Sequence, residues 1–289
     1  MISKLKVQVT SPDVLLYTDI VYSNRTNEWK QAIYPMKLHL MRPFTDMEWK
    51  ERYPLIVWVG GGAWKASTPF RHIPCLSYFA RNGYVVASVD YRVSGMDYFP
   101  AQIQDVKAAI KYLRLHADEY GIDPEKIAVM GDSAGGHLSA LAGTSGDQEI
   151  FQTPDYPEVS CRVQAVVDLY GPSDFLQMPG ADKPELGFLW QMPESLLFGG
   201  HVTVKREMAE KASPITYING DTPPFLLLHG TDDHTVSVRQ SEILYEALEK
   251  AGVEVDLYEL KGADHATPHF VQPEVQELIL SFLDRRFRR

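Results

Sequence analysis

The amino-acid sequence predicts an α/β protein in which helices cover both faces of a mostly parallel sheet. Short, continuous apolar runs recur along the chain, for example at residues 55–59, 84–89 and 225–229. Segments whose apolar residues follow helical spacing alternate with these runs, for example from about residue 101 to 120. A strand buried on both faces shows a continuous apolar pattern, and the alternation of such strands with helices is typical of a parallel sheet.

The individual elements follow in order along the chain. Alternating apolar and polar residues around 19–22 and 37–41 predict two antiparallel strands at the edge of the sheet. The buried strands predicted after them are residues 55–59, 84–89, 127–130, 163–169, 225–229 and 255–260. The predicted helices are one ending near Arg81, one at about 101–120, one beginning near Gly135, and two at 237–250 and 273–287. Ligands of such sheets bind at the carboxyl ends of the strands, where the candidate site residues also lie.

Residues 172–224 do not follow this alternation. They contain many prolines and glycines together with the aromatic residues Phe188, Trp190 and Phe198. Because the segment is longer than an ordinary loop between two strands, we predict an insertion that packs over the site as a partial lid. The alternative is a surface excursion with a small core of its own. The whole chain, residues 1–289, is thus predicted to be one α/β domain that carries this insertion.

Composition and charge disfavour several classes of function. Apolar residues make up 45% of the 289 residues, an ordinary globular share, and the formal net charge is −10. An acidic protein is a poor partner for nucleic acid or an anionic membrane, and we expect neither. The basic C-terminal residues 285–289 are expected to form a solvated, frayed end. Nothing in the sequence indicates an oligomeric state.

The two cysteines, Cys75 and Cys161, are expected to be free thiols. The first residues lack the apolar core of a secretory signal, and no apolar run reaches transmembrane length. We therefore expect a cytoplasmic protein with reduced thiols. No metal-ligand spacing surrounds either cysteine, and neither a metal nor a cofactor is expected.

Residues 131–135, Gly-Asp-Ser-Ala-Gly, match the G-x-S-x-G pattern of a nucleophile elbow. The serine of such an elbow is strained between a strand and a helix, so its neighbours two positions away must be nearly free of side chain. A predicted buried strand precedes the pattern, and a helix of small residues follows it. We therefore predict Ser133 as the nucleophile. The alternative is a glycine-rich turn that only caps a helix.

A serine hydroxyl is a weak nucleophile and needs a general base. The chain order expected with this elbow is serine, then acid, then histidine. His265 follows the last predicted strand and is the predicted base. His269 is the alternative, but it lies further into the next segment. His229 and His234 are expected to be strand-end or surface residues.

The acid of such a site should follow the preceding strand, where Asp232 and Asp233 stand next to each other. The expected turn geometry favours Asp233 over Asp232. Its carboxylate would accept the imidazole N–H, fix the tautomer and stabilise the imidazolium. Asp264 is too close in sequence to His265 to orient it well and is expected to cap the loop instead.

The oxyanion formed during acyl transfer needs N–H donors that point at it. Residues 60–64, Gly-Gly-Gly-Ala-Trp, follow the first buried strand, where such a loop belongs, and small residues let the backbone approach a substrate. The N–H of Ala134, next to the nucleophile, is a further predicted donor. A glycine run after a strand is also typical of dinucleotide-binding folds, but Trp64 and Lys65 break the G-x-G-x-x-G pattern.

Five motifs together resemble those of a known family. They are Gly-Gly-Ala-Trp at 61–64, Asp-Tyr-Arg at 90–92, Gly-Asp-Ser-Ala-Gly-Gly at 131–136, His-Gly-Thr-Asp-Asp at 229–233 and Gly-Ala-Asp-His at 262–265. From about residue 14 to the C-terminus the chain is similar to the α/β-hydrolase esterases, nearest to the bacterial feruloyl/acetyl-esterase-like branch beside the hormone-sensitive-lipase group. The resemblance implies the α/β-hydrolase fold and a triad of Ser133, Asp233 and His265. The oxyanion donors that it implies are Gly62, Ala63 and Ala134.

The chain departs from the family pattern at one position of the oxyanion loop. The family usually has His-Gly-Gly there, with the histidine bracing the loop through hydrogen bonds, and Gly60 stands in the histidine position. Without this histidine we expect the loop to be less rigid and the substrate range to differ from that usual in the family. Trp64 follows the loop directly and is predicted to bind substrate by lying close to its acyl or leaving group. Packing of Trp64 into the core is the alternative.

These features predict a serine carboxylesterase that acts on short-chain acyl esters. The resemblance alone implies acetyl or aryl-acyl groups on carbohydrate as the substrate class. An amide or formamide hydrolase is one alternative, because the same machinery serves both reactions. A non-catalytic ligand-binding relative is the alternative from another class, and the intact triad argues against it. The expected partner is a small-molecule ester.

Overall fold

An eight-stranded sheet forms the centre of the computed structural model, which describes residues 2–26, 32–45, 51–182 and 192–288. The strands are β1 (Asp13–Thr26), β2 (Ile33–Phe44), β3 (Tyr53–Val59), β4 (Val85–Val89), β5 (Ile122–Asp132), β6 (Ala165–Leu169), β7 (Phe225–Gly230) and β8 (Val255–Leu260). Their order across the sheet is β1-β2-β4-β3-β5-β6-β7-β8. At one edge, β1 pairs antiparallel with β2, and β2 pairs antiparallel with β4. The neighbouring strands from β4 across β3 to β8 all pair in parallel. The predicted α/β architecture with an antiparallel edge is confirmed.

The helices lie between and after the strands. They are α1 (Ile73–Arg81), α2 (Ala101–Leu115), α3 (Ala117–Tyr120), α4 (Ala134–Ser145), α5 (Pro193–Phe198), α6 (Arg206–Ala212), α7 (Arg239–Lys250) and α8 (Pro273–Phe287). Short 3₁₀ turns occur at Glu149–Phe151, Phe175–Gln177, Pro214–Tyr217 and Pro268–Val271. Among the described residues, no helix is both long and apolar enough to cross a membrane.

Two apolar clusters lie on opposite faces of the sheet, because successive side chains of a strand point to opposite sides. In β3, Leu55, Val57 and Val59 belong to one cluster, whereas Ile56 and Trp58 belong to the other. Complete burial of such an aliphatic side chain contributes about 1.5–3 kcal/mol. The continuous apolar run in the sequence thus reflects burial on both faces.

Each cluster is closed by helices that present an apolar stripe. α2, α4 and α7 cover the first face, and α1 and α8 cover the second. In α8 the buried residues Ile279, Phe282 and Leu283 follow the i, i+3, i+4 spacing of one helix side. These helices hold the carboxyl ends of the central strands in fixed positions.

Two expectations from the sequence need correction. The helix predicted at 101–120 is interrupted at His116, which separates α2 from α3. The basic C-terminus is not frayed over residues 285–287, which form the last turn of α8. Arg285 pairs with Asp256 at 3.1 Å, and Arg286 pairs with Glu254. These contacts to the β8 end of the sheet hold the helix end in place.

The insertion at 172–224 is described except for residues 183–191. Phe188 and Trp190, two of the aromatic residues noted in its sequence, therefore lie outside the described residues. Its buried apolar side chains, among them Phe175, Phe198 and Ala209, join the same cluster as the sheet. Cys75 and Cys161 are both free thiols, as expected.

Candidate active site

Ser133 lies in the turn between β5 and α4, with the strained backbone angle φ of 53°. A Cβ added at Gly131 would lie 2.4 Å from the Gly135 carbonyl oxygen, and one added at Gly135 would lie 1.9 Å from the Val59 carbonyl oxygen. Both positions therefore exclude a side chain, which is why the pattern requires glycine on either side of the serine. The turn is held by the Ser133 N–H, which donates to the Leu169 carbonyl at 2.8 Å.

Three side chains from distant parts of the chain form a continuous hydrogen-bonded series. His265 Nε2 lies 2.9 Å from Ser133 Oγ, and His265 Nδ1 lies 2.7 Å from Asp233 Oδ2. Asp233 follows β7, and His265 follows β8, so the carboxyl ends of neighbouring parallel strands bring the three residues together. This geometry suits proton transfer from the serine hydroxyl to the imidazole.

The Asp233 carboxylate is completely inaccessible to solvent. Its Oδ1 accepts the N–H groups of Thr235 and Val236, both at 2.8 Å, and His229 Nε2 lies 3.3 Å from its Oδ2. Burial by itself raises the pKa of this carboxyl, but hydrogen bonds from His229, His265 and Val236 bring the pKa well below its usual range. Asp233 is therefore ionised at every ordinary pH. His229 was expected to be an ordinary strand-end residue, and that expectation did not include its contact with the Asp233 carboxylate.

The alternative site residues lie elsewhere. His269 is exposed and bonds Thr267 Oγ1 at 3.0 Å, away from Ser133. Asp232 is exposed and accepts the Thr231 hydroxyl at 2.8 Å. Asp264 accepts the N–H of His265 at 2.6 Å, a contact that caps the loop. Of the candidate residues, His265 is thus the one within hydrogen-bond distance of Ser133, and Asp233 is the one that lies within hydrogen-bond distance of His265 Nδ1.

Two side chains brace the loop at residues 60–64, the predicted oxyanion loop, which lacks the family's histidine. Asp132 Oδ1 accepts the Gly61 N–H at 2.7 Å, and the Tyr91 hydroxyl donates to the Gly60 carbonyl at 2.9 Å. Both side chains are buried. A Cβ at Gly60 would make only ordinary contacts, the nearest at 3.7 Å to Trp58 Nε1. The space beside Gly60 thus accepts a Cβ, and the loop is held without a side chain there.

The loop leaves particular N–H groups available for a substrate. The Gly61 N–H is occupied by Asp132, whereas the N–H groups of Gly62, Ala63 and Ala134 have no acceptor within the described ranges. Ala63 and Ala134 line the cavity beside Ser133, but Gly62 does not. Ala134 is the first residue of α4, where N–H groups lack a partner within the helix.

Trp64 both borders the cavity and belongs to the core. Its side chain is only 4% exposed, and its Nε1 donates to His137 Nδ1 at 3.1 Å. His137 Nε2 lies 2.8 Å from the Ala212 carbonyl, to which it donates because Nδ1 is already the acceptor. His137 thus connects the oxyanion loop, the helix after the nucleophile and α6 of the insertion.

His137 should make the folded state sensitive to acid. Burial lowers the pKa of its imidazole from 6.5 to about 4. Between pH 6.5 and 4 this histidine is protonated in the unfolded chain but stays neutral in the folded protein. Its contribution to the free energy of unfolding therefore falls as the pH drops towards 4, in total by about 3 kcal/mol. We expect urea unfolding at a series of pH values to show a less favourable change in the unfolding free energy of the wild type than of His137→Gln between pH 6.5 and 4, by about 3 kcal/mol once the offset at pH 7.5 is subtracted.

Asp168 provides the opposing control within the same range. Its buried carboxyl has a pKa raised by burial from 3.8 to about 6, so the folded state gains stability as the pH falls through 6. Because this gain opposes the loss at His137 in the wild type, Asp168→Asn should lose stability on acidification, whereas His137→Gln should gain it. Identical pH slopes in the wild type and His137→Gln would show that the imidazole does not titrate in this way.

A cavity of about 340 Å³ opens at Ser133 between the oxyanion loop and the insertion. Its lining residues are Ala63, Trp64, Ser133, Ala134, Pro172, Met178, Pro179, Met192, Pro193, Glu194, His234, Thr235 and Val236. Six of these belong to the insertion. No group of three or more histidine, cysteine or acidic side chains in the described part of the chain is placed to hold a metal.

Sequence reasoning gave no role to Asp132, Tyr91, His137 or Glu194. The first three stand within or beside quoted motifs, and for Asp132 and His137 the available signal was a polar residue in a stretch of small or apolar residues. Glu194 has no such signal, because its segment lacks periodicity.

Comparison with known proteins identifies the family. A family model described as BD-FAE matches residues 44–248, more than half of the chain. The chain belongs to the BD-FAE family. This membership agrees with the resemblance to α/β-hydrolase esterases seen in the motifs.

Curated relatives of this BD-FAE chain include two proteins of Mycobacterium tuberculosis (strain ATCC 25618 / H37Rv). The probable carboxylic ester hydrolase LipM is 34% identical over 76% of the chain and 51% of LipM. Esterase LipC is 37% identical over 73% of the chain and 52% of LipC. The chain thus spans about half the length of these curated relatives.

Solved structures resemble nearly the whole BD-FAE chain. A truncated carbohydrate esterase from gut microbiota superposes with a TM-score of 0.79 at 27% identity, covering 95% of this chain and 97% of that one. Esterase Est2 of Thermogutta terrifontis superposes with a TM-score of 0.73 at 28% identity, covering 95% and 92%. The α/β-hydrolase fold is shared along the full sheet.

Proposed function

We propose that this protein is a serine carboxylesterase that hydrolyses short-chain acyl esters through a Ser-His-Asp acyl-enzyme mechanism. The observation that carries the proposal is the series from Ser133 Oγ to His265 at 2.9 Å and on to Asp233 at 2.7 Å, with Ser133 lining a cavity. The esterases among the relatives and solved neighbours support the same reaction class.

The proposed reaction has two halves. Ser133 Oγ attacks the ester carbonyl carbon while His265 Nε2 takes the hydroxyl proton, and the tetrahedral oxyanion accepts the free N–H groups of the loop and Ala134. His265 then returns the proton to the alcohol oxygen as the C–O bond breaks, leaving an acyl-serine. Water, deprotonated by the same imidazole, attacks the acyl-serine, which yields the carboxylic acid and restores Ser133.

The proposed substrates are small acyl esters, with acetyl or aryl-acyl groups on carbohydrate as the class. The carbohydrate esterase among the solved neighbours supports this choice. The cavity at Ser133 is small, at about 340 Å³, and the buried Trp64 ring forms part of its wall. Residues 172–224 are proposed to act as a partial lid, since Met178, Met192 and Pro193 border the same cavity.

Chain length tests the size of the acyl pocket. We expect kcat/KM on p-nitrophenyl esters to peak at acetate or butyrate and to fall towards decanoate. A long groove would instead gain about 0.8 kcal/mol for each methylene buried. A maximum at octanoate or longer would refute the small pocket and favour a lipase.

Trp64→Ala tests whether the indole sets that limit. If the ring closes the acyl pocket, the maximum should shift to longer chains. Trp58→Ala is a matched control, because Trp58 is buried on the opposite face of the sheet and does not line this cavity. An unchanged chain-length profile in Trp64→Ala would show that the indole does not limit the acyl pocket.

Matched amides assayed beside the esters separate esterase from amidase activity.

A further inference from the structure

Glu194 is a buried acidic residue that lines the cavity containing Ser133. Its side chain is only 8% exposed, and it lines the cavity together with Ser133 and Ala134. No side chain among the described residues donates a hydrogen bond to it. Burial raises the pKa of this carboxyl above its ordinary value, while its own backbone N–H and the nearby His201 lower it.

The rest of the cavity wall makes this carboxylate unusual. Most other lining side chains are apolar, including Pro172, Met178, Pro179 and Met192, and among the described lining residues Glu194 is the only acidic one. An acidic residue in the first turn of a helix is favourable, as at the start of α5, but an exposed position would serve that purpose equally well. Among the described residues only its own backbone N–H donates to the Glu194 carboxyl, which leaves acceptor sites that a ligand can fill.

We propose that Glu194 determines specificity by accepting hydrogen bonds from hydroxyl groups of the substrate. The preferred substrates are then esters that carry neutral hydroxyl donors near the acyl bond, such as polyol monoesters, and anionic esters are rejected. This inference rests on the esterase function proposed above and adds a residue that selects among its substrates.

Hydroxyl groups suit the site better than an ammonium group. An ionised carboxylate is an acceptor with two oxygens, so two neighbouring hydroxyls can donate to it together. An ammonium would have to leave water for a wall of proline and methionine, and its desolvation costs more than that of a hydroxyl. A site built to bond a substrate hydroxyl discriminates strongly against the analogue that lacks it, because its polar group is then left unpaired.

The test compares glycerol monoacetate with propyl acetate, which share the acetyl group and a three-carbon alcohol and differ only in two hydroxyls. We expect the wild type to favour glycerol monoacetate in kcat/KM by at least tenfold. In Glu194→Leu the ratio of the two kcat/KM values should fall to about one, mainly because KM for glycerol monoacetate rises. Glu194→Gln should keep part of the preference for glycerol monoacetate. Because the ratio is taken within one preparation, a partly unfolded variant still reports it.

Glu207→Leu is the matched control, since Glu207 is an exposed glutamate of the same insertion, outside the cavity. Its ratio should equal that of the wild type. An equal ratio in Glu194→Leu and the wild type, or a preference of the wild type for propyl acetate, would overturn the inference and leave the esterase function standing. A preference for acetylcholine over glycerol monoacetate would overturn the choice of hydroxyls. Absence of turnover on every acetate would overturn the esterase function itself.

Discussion

Ser133→Ala should lower kcat on p-nitrophenyl acetate by about 10⁶, because the members of such a triad act as a unit. The alanine removes only the Oγ that lies 2.9 Å from His265. The strained turn and its glycines are unchanged, so thermal unfolding should stay close to that of the wild type. Steady-state kinetics on purified protein, together with a thermal melt, measure both quantities.

Covalent labelling provides the independent check on the nucleophile. A fluorophosphonate should modify the wild type at Ser133 and leave Ser133→Ala unlabelled. Ser139→Ala is the control on the same helix, since the buried Ser139 Oγ has no hydrogen-bond partner in the described part of the chain. Retention of more than a few per cent of activity in Ser133→Ala would mean that another residue is the nucleophile. An unlabelled wild type would favour a binding protein over an enzyme.

Asp233→Asn should lower kcat by about 10⁴, because an amide that donates to His265 stabilises the wrong imidazole tautomer. The native carboxylate accepts the Nδ1–H at 2.7 Å, and its lowered pKa keeps it ionised over the whole assay range. The loss should appear in kcat and kcat/KM alike, as for a group that acts in the transition state.

The neighbouring aspartate gives this experiment a control of identical chemistry. Asp232 is exposed and bonds only the Thr231 hydroxyl among the described side chains, so Asp232→Asn should change kcat by less than about threefold, the scale of an ordinary surface change. The reverse ranking would assign the acid to Asp232 and leave the rest of the mechanism in place.

Much of the fold was accessible from the sequence because its signals are local. β8 at Val255–Leu260 and α8 at Pro273–Phe287 have the bounds that the sequence predicts. A proline at the start of α8 and a continuous apolar run mark such elements directly. The elbow is predictable for the same reason, since steric contact forbids a side chain at Gly131 and Gly135.

The supporting contacts of the site were not accessible, because they join residues far apart in sequence. The Asp132–Gly61 bond spans 71 residues, and the Trp64–His137 bond spans 73. Which polar groups meet across such distances depends on strand order and helix placement. Glu194 illustrates the same limit, since only the folded insertion shows that this residue lines the cavity.

The Asp132 brace has a consequence for how the site responds to thermal motion. One short stretch of β5 and α4 contains the proposed nucleophile, the Ala134 N–H and the carboxylate that holds the proposed oxyanion loop at Gly61. When the end of that strand shifts, the loop is carried with it, so the spacing between nucleophile and proposed donors changes little. Donors that move as one body with the nucleophile need little rearrangement as charge develops on the substrate oxygen. The proposed oxyanion site is thus braced from within the elbow motif itself, without the histidine that Gly60 replaces.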